Sequence, residues 1–111
     1  MPKFKMLVFS NPTSDGVEAS YNTWYNNQHL PDVCRIDGFN GAQRFKFVET
    51  GQGPAPTDYL AIYEVEADDV NAAIANLTSK AGTDEMVMTP DIDIETTKVM
   101  VFEQITEPYA P

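Results

Sequence analysis

One histidine, one tryptophan and one cysteine are all that this 111-residue chain holds of those three residue types. With Cys34 alone, no internal disulfide can form, which fits a reducing compartment. A thiol nucleophile would need a base, and the single histidine, His29, lies only five positions earlier. With one histidine and one cysteine, a zinc site of usual composition cannot be built within a subunit. Bases are also scarce: 7 against 17 acids give a net charge of -10, which would repel nucleic acid phosphates and anionic lipid surfaces. Eleven of those acids lie from Glu64 onward, with only Lys80 and Lys98 among them, and they read as a solvated acidic surface. No apolar run approaches the length of a membrane span, and Met1 to Met6 leads directly into strand-like alternation without a signal segment. A cytoplasmic protein without membrane attachment is expected. There is no glycine-rich phosphate loop, no Gly-x-Ser-x-Gly elbow and no dinucleotide fingerprint, so neither cofactor nor metal is expected.

What the chain does have is 42% hydrophobic and 11% aromatic residues, the content of one globular domain spanning 1–111, with an irregular tail over 105–111. Lys3 to Ser10 alternates Phe4, Met6 and Val8 with Lys5, Leu7 and Phe9. Both sets are largely apolar, which predicts a central strand covered on two sides. The turn residues Asn11 to Gly16 follow, and Asp15 with Glu18 three positions on suggests a helix N-cap. The helix should run to about Leu30, because Pro31 disfavours helical geometry before it and donates no backbone bond, which makes Leu30-Pro31-Asp32-Val33 an exit or a kinked last turn. A hairpin is predicted from Phe39–Val48 and Asp58–Ala67, with Gly41 marking a bulge and a Gly/Pro-rich loop between the strands. In its first strand Phe39, Gln43, Phe45 and Phe47 alternate with Asn40, Arg44, Lys46 and Val48. Asp68 or Asp69 can cap a second helix carrying Val70, Ala73, Ile74 and Leu77, stopped at Gly82. A long connection over 83–95 then leads to a last strand, Thr97 to Ile105. The order β-α-β-β-α-β predicts the ferredoxin-like α+β fold, a four-stranded antiparallel sheet with both helices on one face. The apolar residues on the opposite face call for a cover, and a second copy of the chain is the economical one.

The stretch from Tyr21 to Val33 gathers the tryptophan, the histidine, two tyrosines and several amides. Helical spacing sets Asn22, Tyr25 and His29 on one stripe, at i, i+3 and i+7. Tyr21, Trp24 and Gln28 share the neighbouring stripe with Val17 and would press against the sheet.

Trp24-Tyr25-Asn26-Asn27-Gln28-His29-Leu30-Pro31-Asp32-Val33, preceded by a strand and an Asn-Pro turn and followed by Gly38-Phe39 and Ala42-Gln43-Arg44, resembles the EthD-type family of dimeric α/β-barrel proteins. The likeness covers residues 3 to 48 by motif and the remainder by pattern. Many relatives carry Pro before Gly-Phe, where this chain has Asp37, a difference confined to a turn. The resemblance implies a homodimer whose two sheets close into a barrel, with a pocket in each subunit. Its relatives include polyketide cyclases, dehydratases, decarboxylases and monooxygenases that use neither metal nor flavin, so it gives no substrate.

His29 is the sharpest catalytic candidate, since imidazole takes and returns a proton near neutrality, as enolisation, aldol closure or dehydration beside a carbonyl requires. Its alternative is a hydrogen bonder at a helix end. Tyr25, one turn earlier, is the candidate assistant that donates to a substrate oxygen, with ordinary aromatic packing as its alternative. Asn22, Trp24, Arg44 and Tyr63 are substrate-binding candidates. Arg44 suits a carboxylate or phenolate, or else a charge on the dimer surface. Asp91, Asp93 and Glu95 alternate but lack the glycine and distal glutamate of a calcium loop. Three functions follow: a cofactor-independent enzyme of lyase or cyclase type acting on a small aromatic or polyketide-like molecule, a non-catalytic small-molecule binding protein, and a metal-free monooxygenase.

Overall fold

The computed structural model describes residues 1–111. Four strands, β1 (Lys3–Ser10), β2 (Phe39–Lys46), β3 (Tyr59–Glu66) and β4 (Lys98–Glu103), form an antiparallel sheet in the order β2-β3-β1-β4. β1 is central, as its two apolar faces predict. This is the ferredoxin-like α+β arrangement.

One face is covered. Phe4 and Met6 of β1 and Tyr59, Ala61, Tyr63 and Val65 of β3 are buried there, joined in one core by Tyr21, Tyr25, Val33 and Phe39. The other face is open. Phe45, Met100 and Phe102 remain exposed on it, beside the cross-strand ion pairs Lys5–Glu64 and Lys3–Glu66. A bulge between Phe39 and Gly41 shifts the register of β2. The predicted alternation, which grouped Phe39 with Gln43 and Phe45, is therefore corrected: the extra residue flips the phase, burying Phe39 among the helices while Phe45 stays 42% exposed.

The first helical region also departs from expectation. Asp15–Val17 is a single 3₁₀ turn without a side-chain cap, so Asp15 does not cap the helix. Helix α1 (Glu18–Trp24) passes through a π-helical turn at Tyr25–His29 into α2 (Leu30–Cys34), so the helix does not end at Leu30. The reason lies in the wide turn. Leu30 donates its N–H to the Tyr25 carbonyl five residues back, and this loosened geometry accommodates Pro31, which has no N–H and would crowd an ordinary turn. Asp32 is buried at the next turn, where Gln28 Nε2 (2.7 Å) and Arg35 donate to its carboxylate. Helix α3 (Val70–Lys80) begins as predicted, with Asp69 accepting the Ala72 N–H at 3.1 Å, and Gly82 follows its end at φ 83°.

Candidate functional site

The 83–97 connection folds back beneath the sheet as a strap. Thr13 donates to the Asp91 carbonyl, Asp93 donates to Asn11, and Met86 bridges to Ala81. Asp91 accepts the Ser20 hydroxyl and so ties the strap to the first helical region, while Asp93 accepts the Glu95 N–H and caps the turn at Ile94–Thr96. The strap, α3, the first helical region and the sheet line a half-open cavity of about 200 Å³. Its walls are mainly apolar, including Val33, Leu77, Met86, Met88 and Ile92. Among its polar lining residues are Tyr25, His29 and Tyr63, with the hydroxyl residues Thr78 and Thr97.

The predicted residues separate around Tyr25. His29 meets the Tyr25 ring edge-on at 5.1 Å and stacks on Trp24 at 4.5 Å. Trp24 does not line the cavity; it backs the imidazole, while its Nε1 donates to the Val87 carbonyl of the strap at 2.9 Å. Arg44 lies against Tyr25 as well, its guanidinium 4.3 Å from the ring centroid, but outside the cavity lining. Its terminal nitrogens donate to Asn22 Oδ1 (3.0 Å) and Asn26 Oδ1 (2.9 Å), and Asn22 Nδ2 donates to the Tyr59 hydroxyl at 3.3 Å. Asn22 thus belongs with Arg44, whereas the i, i+3, i+7 stripe set it beside His29. That stripe assumes 3.6 residues per turn, and the π turn rotates His29 out of it.

Two polar atoms within the cavity wall are buried without a hydrogen-bond partner, His29 Nδ1 and the Tyr63 hydroxyl. Burial pushes the His29 pKa down from 6.5 to about 4, so the ring is neutral at pH 7. Burial raises the Tyr25 and Tyr63 phenols, which keeps both protonated as donors. The arrangement can receive a small, largely apolar molecule and offer one of its oxygens both an imidazole and phenolic hydroxyls. Sequence reasoning missed the wall supplied by Met86, Met88 and Ile92. Their apolar character stands out in an otherwise polar connection, but nothing local says where that connection folds. No group of three or more His, Cys, Asp or Glu residues is placed to hold a metal ion, and no helix is long and apolar enough to cross a membrane.

No protein-family profile matches the chain, and no curated protein matches it. Solved structures do. An ethyl tert-butyl ether D (EthD) family protein from Bacillus halodurans superposes with a TM-score of 0.53 at 14% identity, covering 95% of this chain and 100% of that one. The chain has the EthD-type fold. MhuD from Mycobacterium tuberculosis, a heme-degrader with two hemes bound in its active site, has a TM-score of 0.64 at 17% identity, covering 96% of this chain and 99% of MhuD. A MhuD variant with two manganese protoporphyrin IX molecules per active site gives 0.57 at 20% identity, covering 98% and 100%. At these identities the EthD-type fold is what is shared, and the chemistry has to be argued from this chain's own residues.

Proposed function

We propose that this protein is a cofactor-independent enzyme that moves a proton on a small aromatic or polyketide-like molecule held in the cavity. One observation carries the reading: His29 Nδ1 and the Tyr63 hydroxyl, both buried and unpartnered, line the same apolar cavity. Buried polar atoms are nearly always satisfied, and in this reading a small shift of the two cavity-lining side chains would bring them to a ligand. In this reading the neutral His29 accepts a proton from a carbon or oxygen acid. Tyr63 and Tyr25 donate to the oxygen on which negative charge develops, and Trp24 holds the imidazole plane. The apolar walls exclude water and select the ligand by shape.

Size limits the ligand. Drug-sized molecules occupy pockets of roughly 300–1,000 Å³, and a cavity of about 200 Å³ is smaller.

The reading includes a homodimer in the cytoplasm. The open sheet face exposes Phe45, Met100 and Phe102, and no element of the chain covers it. Light scattering should find a dimer at micromolar concentration, and a stable, folded monomer would remove this part.

A second reading, non-catalytic carriage of a small hydrophobic molecule, is favoured by the His29 pKa of about 4, well below the near-neutral value that suits a proton-transfer group. Screening phenols, naphthols and β-diketones by NMR for binding, then testing each binder for solvent deuterium exchange and turnover, separates the two. Exchange that requires His29 supports the enzyme. Binding without exchange or turnover for every binder supports the carrier, and oxygen consumption with a bound phenol would instead indicate a monooxygenase.

A further inference from the structure

The strap that walls the cavity is fastened at both ends and loosely between them. At one end Met86, buried, accepts the Gly82 N–H at 2.9 Å and donates to the Thr83 carbonyl at 3.1 Å. At the other, the Asp91 carbonyl accepts the Thr13 N–H at 2.8 Å, and buried Ile92 bridges to Pro12. Residues 87–90 span the gap without a backbone–backbone hydrogen bond. The Thr89 hydroxyl accepts the Asp91 N–H within the strap itself, Val87 is 48% exposed, and Pro90 has no N–H to give. Of the four, Met88 packs against the core and lines the cavity. One hydrogen bond from outside the strap holds this span: Trp24 Nε1 donates to the Val87 carbonyl at 2.9 Å. The same indole is stacked on His29, with ring centroids 4.5 Å apart and planes 24° from parallel.

We infer that residues 87–90 form a lid over the cavity, latched by Trp24, and that releasing the latch lets His29 turn its sealed Nδ1 towards a ligand. The inference rests on a ligand occupying the cavity, which the enzyme and the carrier readings share. In the closed arrangement the imidazole is wedged between the indole face and the edge of the Tyr25 ring, 5.1 Å away, and Nδ1 is buried without a partner. A ring wedged in this way turns only if one of its aromatic neighbours yields. Tyr25 is fully buried in the core, whereas Trp24 is half-buried, so Trp24 is the one able to move. Its polar anchor is a single hydrogen bond to a span with few other ties, and lids are drawn from segments of this kind because they open at low free-energy cost. Lifting 87–90 carries Met88 away from the cavity and leaves the indole without its acceptor, so the wall and the imidazole respond together. The cavity is half-open with the latch in place, so the lid governs the imidazole and the fit around a ligand, not entry alone.

The full chain has one tryptophan and one histidine, so the indole N–H and the imidazole each give a single NMR signal. Relaxation dispersion at the Met88 and Thr89 amides, at Trp24 Nε1 and at His29 Cε1 should report one shared opening, on the microsecond-to-millisecond scale of lid motions. Replacing Trp24 with benzothienylalanine, its sulfur isostere, keeps the bicyclic shape and removes only the N–H donor. The open population should then rise ~2- to 10-fold, the weight of one hydrogen bond, at His29 as well as in the strap. Phenol, used as a probe whose hydroxyl can donate to Nδ1, should bind the isostere protein more tightly by the same factor, since affinity scales with the population of the competent state. No exchange at His29, or exchange at a rate unrelated to that of the strap, overturns the lid, and the wild-type measurement decides this even if the isostere protein does not fold. An open population unchanged by the isostere overturns the latch. Phenol that binds both proteins equally, or neither, removes the link between lid and ligand. A shared opening together with unchanged turnover in His29→Asn keeps the lid and sinks only the enzyme reading.

Discussion

Tyr25 has two dissimilar neighbourhoods. On the Arg44 side, polar groups hold one another: Arg44 to Asn22 and Asn26, Asn22 to Tyr59, and Tyr59 to Glu18. On the His29 side, two cavity-lining residues each keep a buried polar atom without a partner, His29 Nδ1 and the Tyr63 hydroxyl. The first is a network that fixes the helix to β2 and β3 and leaves one buried atom, Arg44 Nε, unpartnered; the second leaves two, and its residues border a cavity. The difference teaches that the same stretch of helix can act as scaffold on one side and as candidate site on the other.

The largest effect that would sharpen this contrast is kinetic. His29→Asn should lower turnover of any accepted substrate by ~100- to 10,000-fold while the folded state persists. Steady-state rates and a thermal melt on the same variant check it, and unchanged turnover would assign the cavity side to binding alone.

Next is a pH effect on stability. The folded His29 pKa, about 4, lies below the unfolded value of about 6.5, so the unfolded chain binds the extra proton between them. The neutral-imidazole contribution is therefore fully present above pH 6.5 and lost as pH falls towards 4, a change of about 3 kcal/mol over the whole window. Urea unfolding at several pH values should show wild type losing stability relative to His29→Asn on acidification. A constant difference would mean that the imidazole protonates as freely in the folded state as in the unfolded one.

On the Arg44 side, Asn22→Ala removes bonds to both Arg44 and Tyr59 and should cost about 1–2 kcal/mol, with affinity for a cavity ligand unchanged. Loss of cavity binding in this variant would show that the two sides are not separate. The smallest stability change is expected for Tyr63→Phe. Deleting an unpartnered buried hydroxyl should leave stability unchanged or raise it by up to about 1 kcal/mol, and should weaken a phenolic ligand by ~10-fold. A marked loss of stability would reveal a partner for that hydroxyl within the protein.

Much of the fold was legible because it rests on local rules. Period-two alternation marked the first three strands, Gly41 the bulge, Asp68 or Asp69 the cap of α3, and the apolar character of both faces of β1 its central place. The candidate site was half legible. His29, Tyr25 and Tyr63 do meet at one cavity, but Asn22 and Arg44 lie across Tyr25 from it, and Trp24 stands behind the imidazole. At Pro31 the sequence left an exit and a kinked last turn both open, and the structure takes the helical one, through a wide turn and the burial of Asp32 and Val33 beyond it.

The sequence by itself determined the four strands and their order among the helical regions, the net acidity, and the place of the one imidazole on the first helical region. These depend on composition and on neighbours within a few positions, which the chain states directly. The tertiary structure alone decided which side of Tyr25 each polar group occupies, that the 83–97 strap supplies the cavity's remaining wall, and which buried atoms are left without partners. Those outcomes depend on contacts between residues far apart in the chain and on one added residue of helical turn, and no local pattern encodes either.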